Sequence, residues 1–296
     1  MPSRLCGTHV VQVRDLTRGL RAALLDHGSN PAMSSAAAAW AERLLTLPGP
    51  EKLTRELRTA VAELHAFTAG WAALDAGLDG RALYHYSRAL ELATETGETS
   101  LQAIALACAG LTMLEHGHPN EGLKMLQFTQ VTAWNIPPRH DRAMIESCAL
   151  ADSAIAYARM GDTPAATAVA KSRQLWSPTR SDPRGDQDYV AARLAISQGR
   201  LDAAEPFAVA SVRRWEGVSE LRRTSSTIVL ATIHVQAGEP DGLPLARRAI
   251  LDVTKLSSIQ ARTRLHPLAA ALKARPGTDA QELARMARQQ VADTRV

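Results

Sequence analysis

Aromatic residues are scarce in this sequence, with three Phe, four Tyr and five Trp among 296 residues. A chain of this length needs a sizeable core, so alanine and leucine must fill most of it. Both residues lose little side-chain entropy in a helix. β-branched runs are short, "VVQV" and "TIVLATIHV" being the longest, which argues against a sheet-based fold. Cysteine is also sparse: Cys6, Cys108 and Cys148 stand far apart, and no C-x-x-C occurs. That excludes a disulfide framework and points to a reducing compartment. No apolar stretch is long enough to span a bilayer, and "MPSRLCGTHVVQVRDL" has no long apolar core before its charges. A soluble cytoplasmic protein is the expectation. The net charge of +4 comes from scattered Lys and Arg nearly balanced by Asp and Glu, without the basic stripe of a nucleic-acid binder. G-x-S-x-G, a phosphate-binding Gly-Lys-Ser/Thr loop, G-x-G-x-x-G and H-E-x-x-H are all missing. No catalytic residue, cofactor or metal is expected.

What the sequence does contain is a repeat. Gly77, Gly117, Gly161, Gly199 and Gly238 follow one another at intervals of 40, 44, 38 and 39 residues, a helical-repeat period. Seven residues before each stand Gly70, Gly110, Ala154, Ala192 and Ala231. Five residues after come Ala82, Gly122, Ala166 and Ala204, while the fifth unit has Leu243 there and slips to Ala246 and Ala249, as if one residue were inserted. Small residues at such places let two antiparallel helices approach closely. The recurring glycine ends the first helix in a left-handed conformation that other L-residues resist. In "LEHGHPNEGLKML", residues 114 to 126, His116 and His118 then belong to an inter-helix turn. A bare H-x-H lacks the ligand count that zinc requires.

Residues 82 to 90, "ALYHYSRAL", resemble the second-helix signature of tetratricopeptide repeats. The longer stretches "LHAFTAGWAALDAGLDGRALYHYSRALELATETGE" and "ALACAGLTMLEHGHPNEGLKML" resemble the C-terminal repeat region of large actinobacterial helix-turn-helix transcriptional regulators. "VRDLTRGLRAALLDHG" is similar to the helix that follows the DNA-binding domain in that family. The resemblance runs from about residue 10 onward and is most specific over residues 60 to 135. It implies an all-α, right-handed superhelical solenoid of antiparallel helix pairs, with about five to six repeats after N-terminal helices. It also implies a link to transcriptional regulation. Nothing in the chain reads as a helix-turn-helix, so direct DNA binding is not expected.

The organisation read from periodicity is a loose tail at 1–9, an N-terminal helical segment at 10–50, repeats at 51–256 and a capping helix pair at 257–296. "SPTRSDPRGDQD", residues 177 to 188, is the longest polar break. Cys108, Cys148 and His234 read as packing residues of first helices, His234 being hydrogen-bonded. In a solenoid the first helices line a concave face that holds a partner. The period assigns Phe67, Trp71, Leu74, Leu111 and Ile155 to that face as an apolar stripe, with Glu115, Asp152, Arg159, Tyr189 and Arg193 beside it. The stripe is either a groove for a peptide, partner protein or small metabolite, with Arg193 meeting a carboxylate, or it is covered by the N-terminal helices or a second subunit. The function expected is a non-enzymatic, ligand-binding regulator. The alternative is an enzyme on the same scaffold using Asp152, Arg159, Tyr189 and Arg193.

Overall fold

A computed structural model describes residues 3–137, 140–161, 163–175 and 186–293. Among them the chain is helical throughout, with no strand, only a single bridge between Gly28 and Ser257. No described helix is long and apolar enough to cross a membrane. The chain divides into two compact units, Met1–Leu24 with Ser29–Gly185, and Leu25–Gly28 with Asp186–Val296. The polar break lies at their junction, and its residues 177–185 fall outside the described ones.

The first unit opens with α1 (Gly7–His27), α2 (Pro31–Leu44) and α3 (Glu51–Leu64). The expected loose tail is ordered over residues 5–9. Leu5 is buried, its N–H donates to the Pro48 carbonyl at 3.0 Å, and α1 begins at Gly7. Asn30 caps α2 by accepting from the Met33 N–H, and Pro31 takes the first helical position, where its missing donor costs nothing. One π-helical turn, His65–Ala69, joins α3 to α4 (Gly70–Asp75) as a single rod. Helices α5 (Asp79–Thr96), α6 (Thr99–Glu115), α7 (Pro119–Trp134), α8 (His140–Met160) and α9 (Ala165–Leu175) then pack in series, each on the one before it. α8 also touches α6, so alternate helices meet as well.

In the second unit α10 (Gln187–Ser197), α11 (Leu201–Trp215), α12 (Glu220–Ala237) and α13 (Gly242–Thr254) continue the serial packing. The short α14 (Ile259–Thr263) precedes α15 (Leu265–Ala274) and α16 (Thr278–Ala292). α15 and α16 close the apolar core over Ile228, Val253, Leu268 and Leu272.

All five repeat glycines have positive φ, from 66° to 82°. The small residues seven places before them are all buried. Where α6 meets α7, a Cβ on Gly122 would stand 2.8 Å from the Gly110 carbonyl oxygen, so the two backbones touch. The second-helix register corrects the sequence reading in two units. Ala166 is exposed and Ala165 buried, and Gly242 is buried where Leu243 is only half-buried. The third and fifth turns are therefore one residue shorter than the others. The fifth unit carries a deletion rather than an insertion, which aligns Gly242, Ala246 and Ala249 with Ala82, Tyr86 and Ala89.

His118 sits at the N-cap of α7 with no capping side-chain bond. His118→Asp is expected to raise stability by up to about 1 kcal/mol, since a carboxylate there accepts from the first turn and favours the helix dipole. Gly117 has φ 82° and open space around it, so Gly117→Val should instead cost about 1–3 kcal/mol through backbone strain alone. Thermal melts of the two variants test both signs.

Candidate functional site

The polar residues that converge in the first unit come from α2, the π-helical turn and α5. On α5, Ala82, Tyr86 and Ala89 face the core. Arg81, Tyr84, His85 and Arg88 follow the i, i+3, i+4, i+7 spacing of a second face. Ala37, Ala38 and Ala41 are buried on α2, where their small side chains allow a close approach and bring Glu42 to His65. The π turn widens the rod by one residue at His65, a distortion common at functional sites.

Arg88 grips Glu42 with two bonds, Nε to Oε1 at 2.7 Å and Nη2 to Oε2 at 3.1 Å. Glu42 Oε1 lies 3.2 Å from His65 Nε2, close enough for an ion pair though off the line of a well-directed hydrogen bond. His65 Nδ1 faces His85 Nδ1 at 3.0 Å. Only one proton fits between those two nitrogens. With both rings neutral, the Glu42 carboxylate favours the proton on His65 Nε2. His65 Nδ1 then accepts from His85 Nδ1–H, and His85 Nε2 is left as an acceptor. Tyr84 stands edge-on to both imidazoles, its ring mostly in solvent.

Glu42, His65, Tyr84 and His85 line a cavity of about 370 Å³ together with Ser35, Ala38, Ala39 and Arg81, a size suited to a small ligand. Its electrostatics are set by the same contacts. The His65 contact, and then Arg88, hold the Glu42 carboxyl at about 2 against the opposing effect of burial. Burial first, then the neighbouring His65 ring and the Arg81 guanidinium, lowers His85 to about 4. At neutral pH the pocket therefore presents a fixed carboxylate, a neutral His85 and the Arg81 guanidinium, which has no carboxylate partner among the described residues.

The residues assigned to a concave face are distributed differently. Leu74 is fully buried and belongs to the core, so it lines no groove. Phe67 is half-buried among residues of α1 to α3, with the Arg21 guanidinium 5.2 Å from its ring centre, so the N-terminal helices cover the stripe at that point. Trp71 and Leu111 pack half-buried against the neighbouring cluster, and Ile155 is also half-buried. Arg159 pairs with Glu115 at 3.8 Å and bonds the Leu114 carbonyl. Asp152 is half-buried on α8. Tyr189 and Arg193 belong to the second unit, where Arg193 and Arg264 both approach the Tyr189 ring. Asp152 and Arg159 lie in the first unit, so the four residues of the enzyme alternative are divided between the two. His116 pairs with Asp79 and faces the Thr112 carbonyl, which ties the turn of the second repeat back to the start of α5. Cys108 is buried and Cys148 half-buried, and neither is in a disulfide.

The pocket residues were open to discovery in one respect. The polar face of α5 is written in "RALYHYSR", opposite its apolar face. Glu42 and His65 carry no such signal, because neither shares a helix with His85. The chain matches no known protein family, and no curated protein is detectably similar to it.

Proposed function

We propose that this is a non-enzymatic regulatory protein, a helical-repeat scaffold of tetratricopeptide-like design whose first unit binds a small molecule or peptide group carrying an anionic end. The observation that carries the reading is the pocket itself. Arg88 holds Glu42 in place, His85 is buried, and the proton affinities of these two groups are displaced from neutrality. General acid–base catalysis works best with a group titrating near the working pH. Glu42 at about 2 and His85 at about 4 are both poor at exchanging protons near pH 7. They are well suited to fixed hydrogen bonds. Arg81 supplies the charge for a carboxylate or phosphate, Tyr84 an exposed ring for stacking, and the alanines of α2 an apolar wall. The link to transcription rests on the sequence resemblance alone.

A thermal-shift screen of small carboxylates, phosphates and acidic peptides tests this. A hit is expected to bind Arg81→Ala about ten-fold or more weakly, the worth of one charge-assisted contact. No hit, or hits indifferent to both Arg81→Ala and Tyr84→Ala, would overturn the assignment. A second reading, an enzyme, is favoured by one feature: the series Glu42–His65–His85 is ordered as a base and its orienting groups. It requires a turnover that His85→Ala abolishes and that rises with an apparent pKa near neutrality.

A further inference from the structure

We propose that Glu205, His234 and Glu239 in the second unit form a binding site for a divalent metal ion of the zinc type. Among the described residues they are the one group of three His, Cys, Asp or Glu side chains whose ligand atoms all lie within 4.8 Å of one another. His234 Nε2 stands 3.3 Å from Glu205 Oε1, and Nδ1 stands 2.6 Å from Glu239 Oε2. Tetrahedral bonds of about 2.0–2.2 Å place neighbouring ligand atoms roughly 3.3–3.5 Å apart. The Glu205–His234 pair already has that spacing. For an ion at Nε2 the Glu239 side chain must turn from Nδ1 toward it, which its exposure of about two-fifths allows.

The His234 ring supplies a second, independent indication. It is 13% exposed, both nitrogens are shut off from water, and neither makes a well-directed hydrogen bond. Buried polar atoms are nearly always satisfied, and an exception calls for an explanation. A metal ion in front of Nε2, on the side where Glu205 stands, gives that nitrogen a partner.

The local backbone holds the group in place. Gly238 ends α12 with φ 77°, and the Glu239 N–H returns to the His234 carbonyl at 3.0 Å, which folds Glu239 back over the ring. Gly242 packs directly on the His234 backbone, where a Cβ would stand 2.9 Å from the carbonyl carbon. Arg275 Nη2 donates to the carbonyls of Gly238 and Glu239 at 3.2 and 3.0 Å. The backbone that carries His234 and Glu239 is thus fixed before any ion arrives.

One imidazole and two carboxylates suit Zn²⁺ or Mn²⁺. The set lacks thiolate for Cu(I) and the six or more oxygens of a calcium site. The glutamates' exposure leaves an outer position for water. This assignment is independent of the pocket in the first unit.

The test uses the full chain, stripped with chelator and titrated with Zn²⁺ by calorimetry. One equivalent is expected to bind with micromolar or tighter affinity and to raise the melting temperature. His234→Ala and Glu205→Gln should each weaken binding at least ten-fold, while His116→Ala with His118→Ala should leave it unchanged. Co²⁺ in the unaltered chain gives a second readout that needs no variant: intense visible absorption marks a four-coordinate site. No zinc binding by the unaltered chain would overturn the proposal. So would one-equivalent binding that survives His234→Ala, or weak octahedral-type Co²⁺ absorption alone. In those cases His234 simply sits between two carboxylates.

Discussion

Gly70→Val is expected to destabilise the first unit by about 3 kcal/mol or more, at the upper end of overpacking in a tightly filled core. Gly70 opens α4 immediately after the π turn, with ordinary helical torsions, so its backbone needs no special freedom. The need is for space. A Cβ at this position would overlap the Tyr86 ring across the α4–α5 contact. Tyr86 is 1% exposed and cannot turn aside. In a domain of this size such a loss lowers the melting temperature by roughly 6–12 °C. Tyr86→Leu removes the clashing ring atoms, so adding it to Gly70→Val should recover part of the loss, although Tyr86→Leu alone is destabilising. That reversal of sign identifies the contact. Tyr86→Phe offers a finer check. The Tyr86 hydroxyl is buried without a hydrogen-bond partner, and deleting it should be neutral or stabilising by about 1 kcal/mol. Equal melting temperatures for Gly70→Val and the unaltered chain would contradict the close packing of α4 on α5.

Gly70 and Gly117 show how much of the fold could be read in advance. The first is selected for its lack of a side chain and the second for its positive φ, yet both recur at fixed distances from the repeat turns. Spacing exposed both, because a repeat imposes one geometry several times over. Helix type and order follow from the same regularity, as does the break at Pro48 to Pro50 before α3. Turn length did not follow. Ala165 and Ala166 are chemically identical, and only the packed register shows which is buried. The π turn was equally hidden, since "HAFTAG" carries neither proline nor a polar break to mark it.

The pocket and the candidate metal group were hidden for a different reason. Helical periodicity relates residues three and four apart. Glu42 meets Arg88 across 46 positions, and Glu205 meets His234 across 29. His65 stands among Leu64, Ala66 and Phe67, where a histidine reads as one more packing residue. Its role depends on α2 arriving with a carboxylate. The local sequence of the α3–α4 rod does not encode that.

The first unit should also lose stability on acidification, in two steps that belong to these groups. His85 has a folded value of about 4, below the usual 6.5 of the free side chain. Between those values the unfolded chain binds the proton and the folded chain does not, so stability is full above 6.5 and falls as pH drops toward 4. Allowing for water that reaches the pocket, the loss is about 1–3 kcal/mol. Glu42 acts in a lower window. Its folded value of about 2 lies below the usual 4.5, so the stability it contributes is present above 4.5 and is lost as pH falls toward 2. Discounted for the quarter of its side chain in water, that step is worth about 1–2 kcal/mol. Hydrogen exchange at pH 7.5, 5.5 and 4.0, corrected for intrinsic rates, confines the readout to α2, the π turn and α5. Protection there should fall between the first and last conditions. In His85→Asn, which cannot titrate, the drop from 7.5 to 4.0 should largely vanish. Arg88→Ala leaves Glu42 without its two-fold grip, so its carboxyl should take up a proton at higher pH and move the lower step upward. If His85→Asn and the unaltered chain lose protection in parallel, His85 is not the group that titrates, and the neutral, fixed character assigned to the pocket falls with it.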